Sequence, residues 1–223
     1  MKKKIIFRYK LTDDTGFAPC VDNDLFTLAC CKTHLRKFIG LFWNDKKINN
    51  DDYELYVSGV YDKKLLFFAK ITNVIKMKEY YKSEKYSGRK DYIYEYADDK
   101  DSKLKWKETG YGLHIEEKDQ NRDIAGEYVL ISDEFVYYGK EAEPCTDEIL
   151  SYFPPNRGER PNGMHTGSPC DVLTEFNIAE SEELFKLIKD FCGGEEHLTQ
   201  GAMGRKPHTQ LELKNYDKKS RCS

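Results

Sequence analysis

The sequence predicts an α+β domain centred on a twisted, mostly antiparallel sheet, either open or closed into a small barrel, with flanking helices. Several short runs of β-branched and aromatic residues separated by turn signals favour this class, whereas extended helical periodicity is rare. With 223 residues, 39% of them hydrophobic and 13% aromatic, the chain can bury one sizeable, aromatic-rich core.

Strands are predicted where apolar and polar residues alternate or β-forming residues cluster. These runs are residues 4–9, 53–59, 64–75, 127–132 and 135–139. The apolar run at residues 25–31 fits either a strand or a helix. Asp133 and Glu134 form the predicted turn between the last two strands.

Helices are predicted at residues 32–38, 76–86 and 178–192. The last has Asn177 as its N-cap, Glu180 three residues later and the pair Gly193–Gly194 as its stop. The polar segment 82–122 between the second helix and the next strand is a long excursion, of a length that is usually functional or disordered.

Four regions are expected along the chain. Residues 1–143 form the core, 144–170 a Pro/Gly-rich loop, 171–200 a C-terminal helix packed on the core, and 201–223 a disordered tail.

Composition excludes several classes of protein. The seven cysteines lack a disulfide framework, and no apolar run approaches a signal h-region or a membrane helix, which predicts reduced thiols, a cytoplasmic location and no membrane partner. The formal net charge of -3 gives no global basic field, so any phosphate contact must come from a local patch.

Motifs for metals and cofactors are missing from the sequence. The histidines at positions 114, 165, 197 and 208 have no metal-ligand spacing, and neither a zinc-deaminase signature nor a phosphate-binding glycine loop is present. We therefore predict no metal and no cofactor.

Two segments resemble the nucleotide-modification-associated domain family, type two. Residues 16–19 followed by 25–32 and Leu35–Arg36 match its first signature, and residues 129–139 match its second. Residues 66–74, Glu79–Tyr81 and 91–94 match the part between them. The resemblance spans roughly residues 5–140 and implies a bacterial or phage domain that accompanies base-modifying enzymes, in DNA modification or phage defence. The order of its elements is also similar to PUA-like and EVE-like barrels, which cradle modified bases.

Candidate residues within the first signature are Lys32, Arg36 and Cys31. Lys32 and Arg36 lie four residues apart, so on a helix they share a face that could bind phosphate, the alternative being a solvated basic face. Cys31 is a candidate nucleophile with His34 close in sequence, the alternative being a buried inert thiol.

A nucleotide pocket is expected around Ser58, Asp133 and Tyr137. Asp133 could read a base edge, act as an acid or base, or simply form the turn. Aromatic residues of the excursion could stack on a base or form a secondary core. These are Tyr92, Tyr94, Trp106 and Tyr111.

Three functions remain open from the sequence. The first is a binding module for a nucleotide or a modified base in nucleic acid, with base-modifying enzymes as further partners. The alternative is an enzyme acting on a modified nucleotide, as a transferase or hydrolase, with Asp133 and Cys31 as its catalytic candidates. The third is a protein-interaction domain, which would show an exposed apolar patch and no pocket.

Overall fold

The computed structural model describes residues 2–11, 14–22, 24–46, 50–61, 63–96, 104–106, 114, 116–152 and 176–194. The expectations for Tyr111, for residues 153–170 of the Pro/Gly-rich loop and for the tail 201–223 lie outside these ranges. Within them, no helix is both long and apolar enough to cross a membrane.

Eleven strands and five α-helices make up the described fold. The strands are β1 Lys3–Lys10, β2 Cys20–Asp22, β3 Leu25–Leu28, β4 Tyr53–Tyr61, β5 Lys64–Lys70, β6 Asn73–Lys76, β7 Tyr94–Tyr96, β8 Leu104–Trp106, β9 Tyr128–Ser132, β10 Glu134–Tyr137 and β11 Phe176–Glu180. The helices are α1 Thr33–Asn44, α2 Met77–Tyr80, α3 Glu117–Ala125, α4 Asp147–Ser151 and α5 Glu182–Phe191.

The larger sheet has five strands in the order β10-β5-β4-β1-β11. Strands β1 and β4 run parallel, with Ile5 opposite Leu55 and Phe7 opposite Val57, while the other pairs are antiparallel. Residues Ile5–Tyr9 are buried without alternation because layers cover both faces of this central strand.

A four-stranded sheet, β2-β3-β9-β6, packs against the first, and β7 and β8 form a separate two-stranded sheet. The α+β class and the mostly antiparallel pairing are therefore confirmed. The alternative of a small closed barrel is wrong for the described residues, because β10 and β11 lie at opposite edges of an open sheet.

Three apolar layers hold these elements together. The main core lies between the two sheets and α1, with Phe7, Phe26, Phe67 and Phe135 at its centre. A second cluster joins the outer face of the five-stranded sheet to α4 and α5. A third covers the four-stranded sheet with tyrosines of α2 and of the excursion. The excursion therefore packs on the core through Tyr86, Tyr92, Ile93 and Tyr94.

The C-terminal prediction needs a correction. Ile178 belongs to strand β11, opposite Phe7 of β1, and the helix begins only at Glu182. Ser181 is its N-cap and accepts a hydrogen bond from the Leu184 amide. The pairing with β1 overrides the local capping signal at Asn177, because a local pattern carries no information about a partner so distant in the chain.

Candidate thiol site

Cys31 lies at the junction between β3 and α1. Its backbone has a φ of 56° and the following Lys32 has a φ of 40°, so both occupy the left-handed region. Helix α1 begins at Thr33 with no side-chain cap and no acidic residue in its first turn. The thiol therefore stands at a sharp strand-to-helix turn, next to the positive end of a helix dipole.

Residues distant in the sequence complete this site. The Sγ atom of Cys31 lies 3.3 Å from Nε2 of His114, and Nδ1 of His114 lies 2.5 Å from Oδ2 of Asp123. The three groups form a continuous relay of thiol, imidazole and carboxylate. His114 takes the place expected of His34, from 83 residues away in the sequence.

Asp123 lies in the last turn of α3 and is fully buried. Its Oδ1 accepts the Cys31 backbone N–H at 2.6 Å, and its Oδ2 also accepts the Tyr94 hydroxyl at 2.8 Å. Burial alone would raise the pKa of this carboxyl, but the charge and hydrogen bond of His114, with Arg36 and Tyr94, hold the pKa below its usual value.

The ionised state of Asp123 fixes the His114 tautomer. An ionised carboxylate only accepts hydrogen bonds, so Nδ1 of His114 must carry the proton. Nε2 faces the Cys31 sulfur and can take the thiol proton, which gives His114 the positive charge that lowers the pKa of Asp123. The ring itself packs edge-on against Phe17, with the ring centroids 5.2 Å apart. This is the orientation that a general base for a thiol requires.

Backbone strain is concentrated at this site. Five non-glycine residues of the described chain have positive φ, and Cys31, Lys32 and His114 are three of them. Such conformations cost of order 1–3 kcal/mol each and persist where surrounding structure enforces them, often at active sites. Here the enforcing contacts are those of Asp123 and Arg36.

Lys32 and Arg36 were expected to share an exposed face of a helix, and Arg36 does not lie on such a face. It is fully buried, and its guanidinium donates to the carbonyls of Cys31, Tyr128 and Asp123. Lys32 is half-buried just before the helix, where its Nζ donates to the Lys10 carbonyl and lies over the Tyr9 ring. The two side chains thus share no exposed face, and phosphate binding by Lys32 stays a prediction.

The structure does not bring the expected nucleotide pocket together. Ser58 faces the layer of α5 and is paired in register with Phe68, whereas Tyr137 faces the main core opposite Phe67, so the two lie on opposite faces of one sheet. Tyr137 donates its hydroxyl to Asp14. Asp133 is exposed at the β9–β10 turn, and a base contact there stays a prediction.

The aromatic residues of the excursion lie mainly in the third apolar cluster. Tyr92 is buried and donates its hydroxyl to the Tyr81 carbonyl, while Tyr94 supports Asp123. These placements match the secondary-core alternative for both residues. Trp106 lies in β8, and its stacking on a base stays a prediction.

The five described cysteines, at positions 20, 30, 31, 145 and 192, are all free thiols. Burial raises the pKa of Cys20 and of Cys30 to about 12, and that of Cys145 and of Cys192 to about 11. These four are protonated and unreactive at neutral pH. The Cys31 thiol is the one held against an imidazole.

The same three side chains are the one group in the described chain whose donor atoms could surround a metal ion, all lying within 4.8 Å of one another. However, Asp123 occupies Nδ1 of the imidazole while Cys31 faces Nε2. An ion bound by Sγ of Cys31 and Nε2 of His114 would therefore have two protein ligands. Asp123 would contact the ion's histidine ligand through Nδ1 and would not bind the ion itself. Zinc sites ordinarily use three or four.

One protein family matches most of the chain. The family described as Nucleotide modification associated domain 2 matches residues 3–169. The chain belongs to this family. The match confirms the resemblance seen in the two signatures. Searches of the curated proteins and of the solved structures returned no match.

Proposed function

We propose that this domain is an enzyme of nucleotide or base modification that uses Cys31 as a thiol nucleophile. The relay of Cys31, His114 and Asp123, with its 3.3 and 2.5 Å contacts, is the observation that carries the proposal. A module that only binds a base has no need of a strained thiol aligned with an oriented imidazole. The enzyme alternative is therefore favoured over the binding module.

The relay suits transfer of an acyl group from an amide, ester or thioester. His114 takes the thiol proton as the Cys31 sulfur attacks the carbonyl carbon, and returns it to the leaving amine, alcohol or thiol as that bond breaks. Water or an amine on a nucleotide then attacks the thioester, gives its proton to His114, and releases Cys31. Asp123 keeps its charge throughout and stabilises the imidazolium.

The turn at Cys31 favours the charged states of this reaction. The N-terminus of α1 has neither a side-chain cap nor an acidic first turn, so its amides favour negative charge on the sulfur or on the carbonyl oxygen of the intermediate. The Cys31 N–H itself donates to Asp123 and is therefore engaged within the relay.

Selective alkylation tests the proposal without knowledge of the substrate. Iodoacetamide at pH 7, followed by peptide mass spectrometry, should label Cys31 far faster than Cys20 and Cys30, which burial keeps protonated. His114→Ala should slow Cys31 labelling by about 10- to 100-fold, since an unassisted thiol is only a few per cent ionised at this pH. Equal labelling of Cys31 in the wild type and in His114→Ala would refute the relay.

Lys32 is proposed to attract the anionic part of a nucleotide substrate to the thiol. Iodoacetate and iodoacetamide differ in charge but share their chemistry, so their rate ratio at Cys31 reports the local field. Lys32→Ala should lower the iodoacetate-to-iodoacetamide ratio about two- to fivefold at low salt, with less effect at high salt. An unchanged ratio would mean that Lys32 has only a structural role in the turn. Lys37→Ala, which removes another lysine of α1, is the matched control.

A metal-dependent hydrolase is the second candidate, because the donor atoms of the same residues cluster. The two candidates predict different metal contents and different responses to chelators. Purified protein with stoichiometric zinc, and Cys31 labelling that accelerates when the zinc is removed, would favour the metal enzyme. Rapid labelling unaffected by EDTA is expected from the thiol relay.

A further inference from the structure

Arg36 is the largest side chain that is fully buried in the described chain, and it reaches the thiol site from α1. Its Nε donates to the Cys31 carbonyl at 2.7 Å, and its two terminal nitrogens donate to the carbonyls of Tyr128 at 2.7 Å and Asp123 at 2.6 Å. A rigid planar guanidinium thus links the nucleophile turn, the end of α3 and the start of β9.

Gly126 leaves the space that this side chain fills. A Cβ atom at Gly126 would lie 2.4 Å from a terminal nitrogen of Arg36 and 2.5 Å from its central carbon. The backbone of Gly126 has a φ of −72°, which any residue can adopt. Glycine at this position is therefore explained by the room that the guanidinium needs, rather than by backbone conformation.

We propose that Arg36 is the positioning residue of the thiol relay, a role that rests on the proposed function of Cys31. The guanidinium donates hydrogen bonds to the carbonyls of both Cys31 and Asp123. It thereby sets the distance between the nucleophile and the carboxylate that orients His114. It also holds the Cys31 carbonyl in the left-handed turn. Its positive charge lies beside the Asp123 carboxylate, which remains free to accept from Cys31, His114 and Tyr94.

A purely structural role predicts a different set of effects. Arg89 is also buried and donates to the carbonyls of Cys20 and Leu25, but none of its hydrogen bonds reaches the relay. Replacement of either arginine is expected to destabilise the fold, because buried carbonyls lose their donors. Only replacement of Arg36 is expected to change the chemistry of Cys31.

The experiment compares Arg36→Lys, Gly126→Ala and Arg89→Lys by the pH profile of Cys31 alkylation in the full chain, with circular dichroism to confirm folding. Arg36→Lys keeps the charge but loses the simultaneous hydrogen bonds to three carbonyls. We therefore expect Cys31 labelling to be about 10- to 100-fold slower at pH 7 and its pH profile to be displaced. Gly126→Ala pushes the intact guanidinium aside and should give a smaller change in the same direction. Arg89→Lys should keep the wild-type profile.

A folded Arg36→Lys or Gly126→Ala protein with the wild-type profile would overturn the inference, and so would an equal change in Arg89→Lys. If Arg36→Lys does not fold, Gly126→Ala decides the question, because its backbone conformation suits alanine. Failure of the proposed function is distinguishable. In that case the wild-type Cys31 itself would label no faster than the buried Cys20 and Cys30.

Discussion

Two carboxylates, Asp91 and Asp123, are fully buried. The groups that surround them are similar, but the two carboxylates have different roles. Asp91 accepts hydroxyl hydrogen bonds from Thr27 at 2.6 Å and Tyr80 at 2.7 Å, beside the guanidinium of Arg89. Asp123 likewise has a tyrosine donor and an arginine nearby. Each of the two networks ties part of the chain between residues 80 and 125 to the turn-rich segment around β3.

The networks differ in what lies beyond the carboxylate. Asp91 is surrounded by hydroxyls and a guanidinium that keep their protons at neutral pH, and burial leaves its pKa raised despite Arg89 and Thr27. Asp123 faces an imidazole whose other nitrogen meets a thiol, and its pKa is lowered. A buried carboxylate such as Asp91 therefore serves only to hold the fold together. Asp123 can also serve chemistry, because its histidine partner can exchange a proton with a nucleophile.

The largest contrast is expected from the two Asp→Asn variants. Asp123→Asn places an N–H donor opposite Nδ1 of His114, which forces the other tautomer and leaves an N–H facing the thiol. Cys31 alkylation at pH 7 should fall about 10- to 100-fold. Asp91→Asn should leave that rate unchanged while destabilising the fold by about 1–3 kcal/mol, because one buried hydroxyl, of Thr27 or Tyr80, loses its acceptor. Similar Cys31 alkylation rates in the two variants would contradict the assignment of Asp123, but not Asp91, to the thiol relay.

The pH dependence of stability should separate the same two variants. Because the folded-state pKa of Asp123 is lowered, its contribution is present above its unfolded pKa of about 3.9 and is lost as pH falls through the folded value. The pKa of Asp91 is raised in the folded state, so its contribution is present below the unfolded pKa of about 3.9 and is lost as the pH rises through the folded value. Urea titrations from pH 3 to 7 should show the wild type gaining on Asp123→Asn with rising pH and losing ground to Asp91→Asn.

A smaller difference is expected between Tyr94→Phe and Tyr80→Phe. Each removes one hydroxyl from a buried carboxylate, at a cost of about 1.5–3 kcal/mol. Without Tyr94, Asp123 holds the His114 proton more strongly, so the pH profile of Cys31 alkylation should move, whereas Tyr80→Phe should not move it. Thermal unfolding and the alkylation profile together measure both quantities, and a shift in both variants would mean that the networks are coupled.

The smallest effects concern the strained backbone. Lys63 and Lys32 both have positive φ, but Lys63 lies in the β4–β5 turn and Lys32 beside the thiol. Replacement of either by Gly should relieve about 1 kcal/mol of strain and raise the Tm by about 2–4 °C. Only Lys32→Gly should also slow Cys31 alkylation, because the turn loses its rigidity. Calorimetry and alkylation of the two variants test whether strain at the site serves reactivity.

Much of the fold could be predicted from local patterns. The strand runs at residues 4–9, 53–59 and 127–132 correspond to β1, β4 and β9, because clustered β-branched and aromatic side chains favour extended backbone. Helix α3 was not predicted, since its residues 117–125 are almost entirely polar and carry no apolar stripe. Its single buried residue is Asp123, whose partners are polar.

The site was less accessible to sequence reasoning. Cys31 could be recognised as a candidate nucleophile, but His114 belongs to no local motif and reaches the thiol only through tertiary packing. Arg36 follows the apolar Leu35 on α1, and an arginine is ordinarily solvated, so its full burial depended on carbonyls supplied by residues 123 and 128. The signals that could have helped were the polar, non-periodic stretch around residue 123 and the glycine at 126.

The central position of β1 has a consequence for synthesis on the ribosome. This strand is made before both of its partners; β4 follows soon afterwards, but the other edge stays unpaired until residue 180 of β11 has been made. At about 5–20 residues per second, the delay between β4 and β11 is on the order of ten seconds. During that time one edge of the apolar strand Ile5–Tyr9 is open to other chains, so nascent protein is expected to depend on chaperones more than its finished stability suggests.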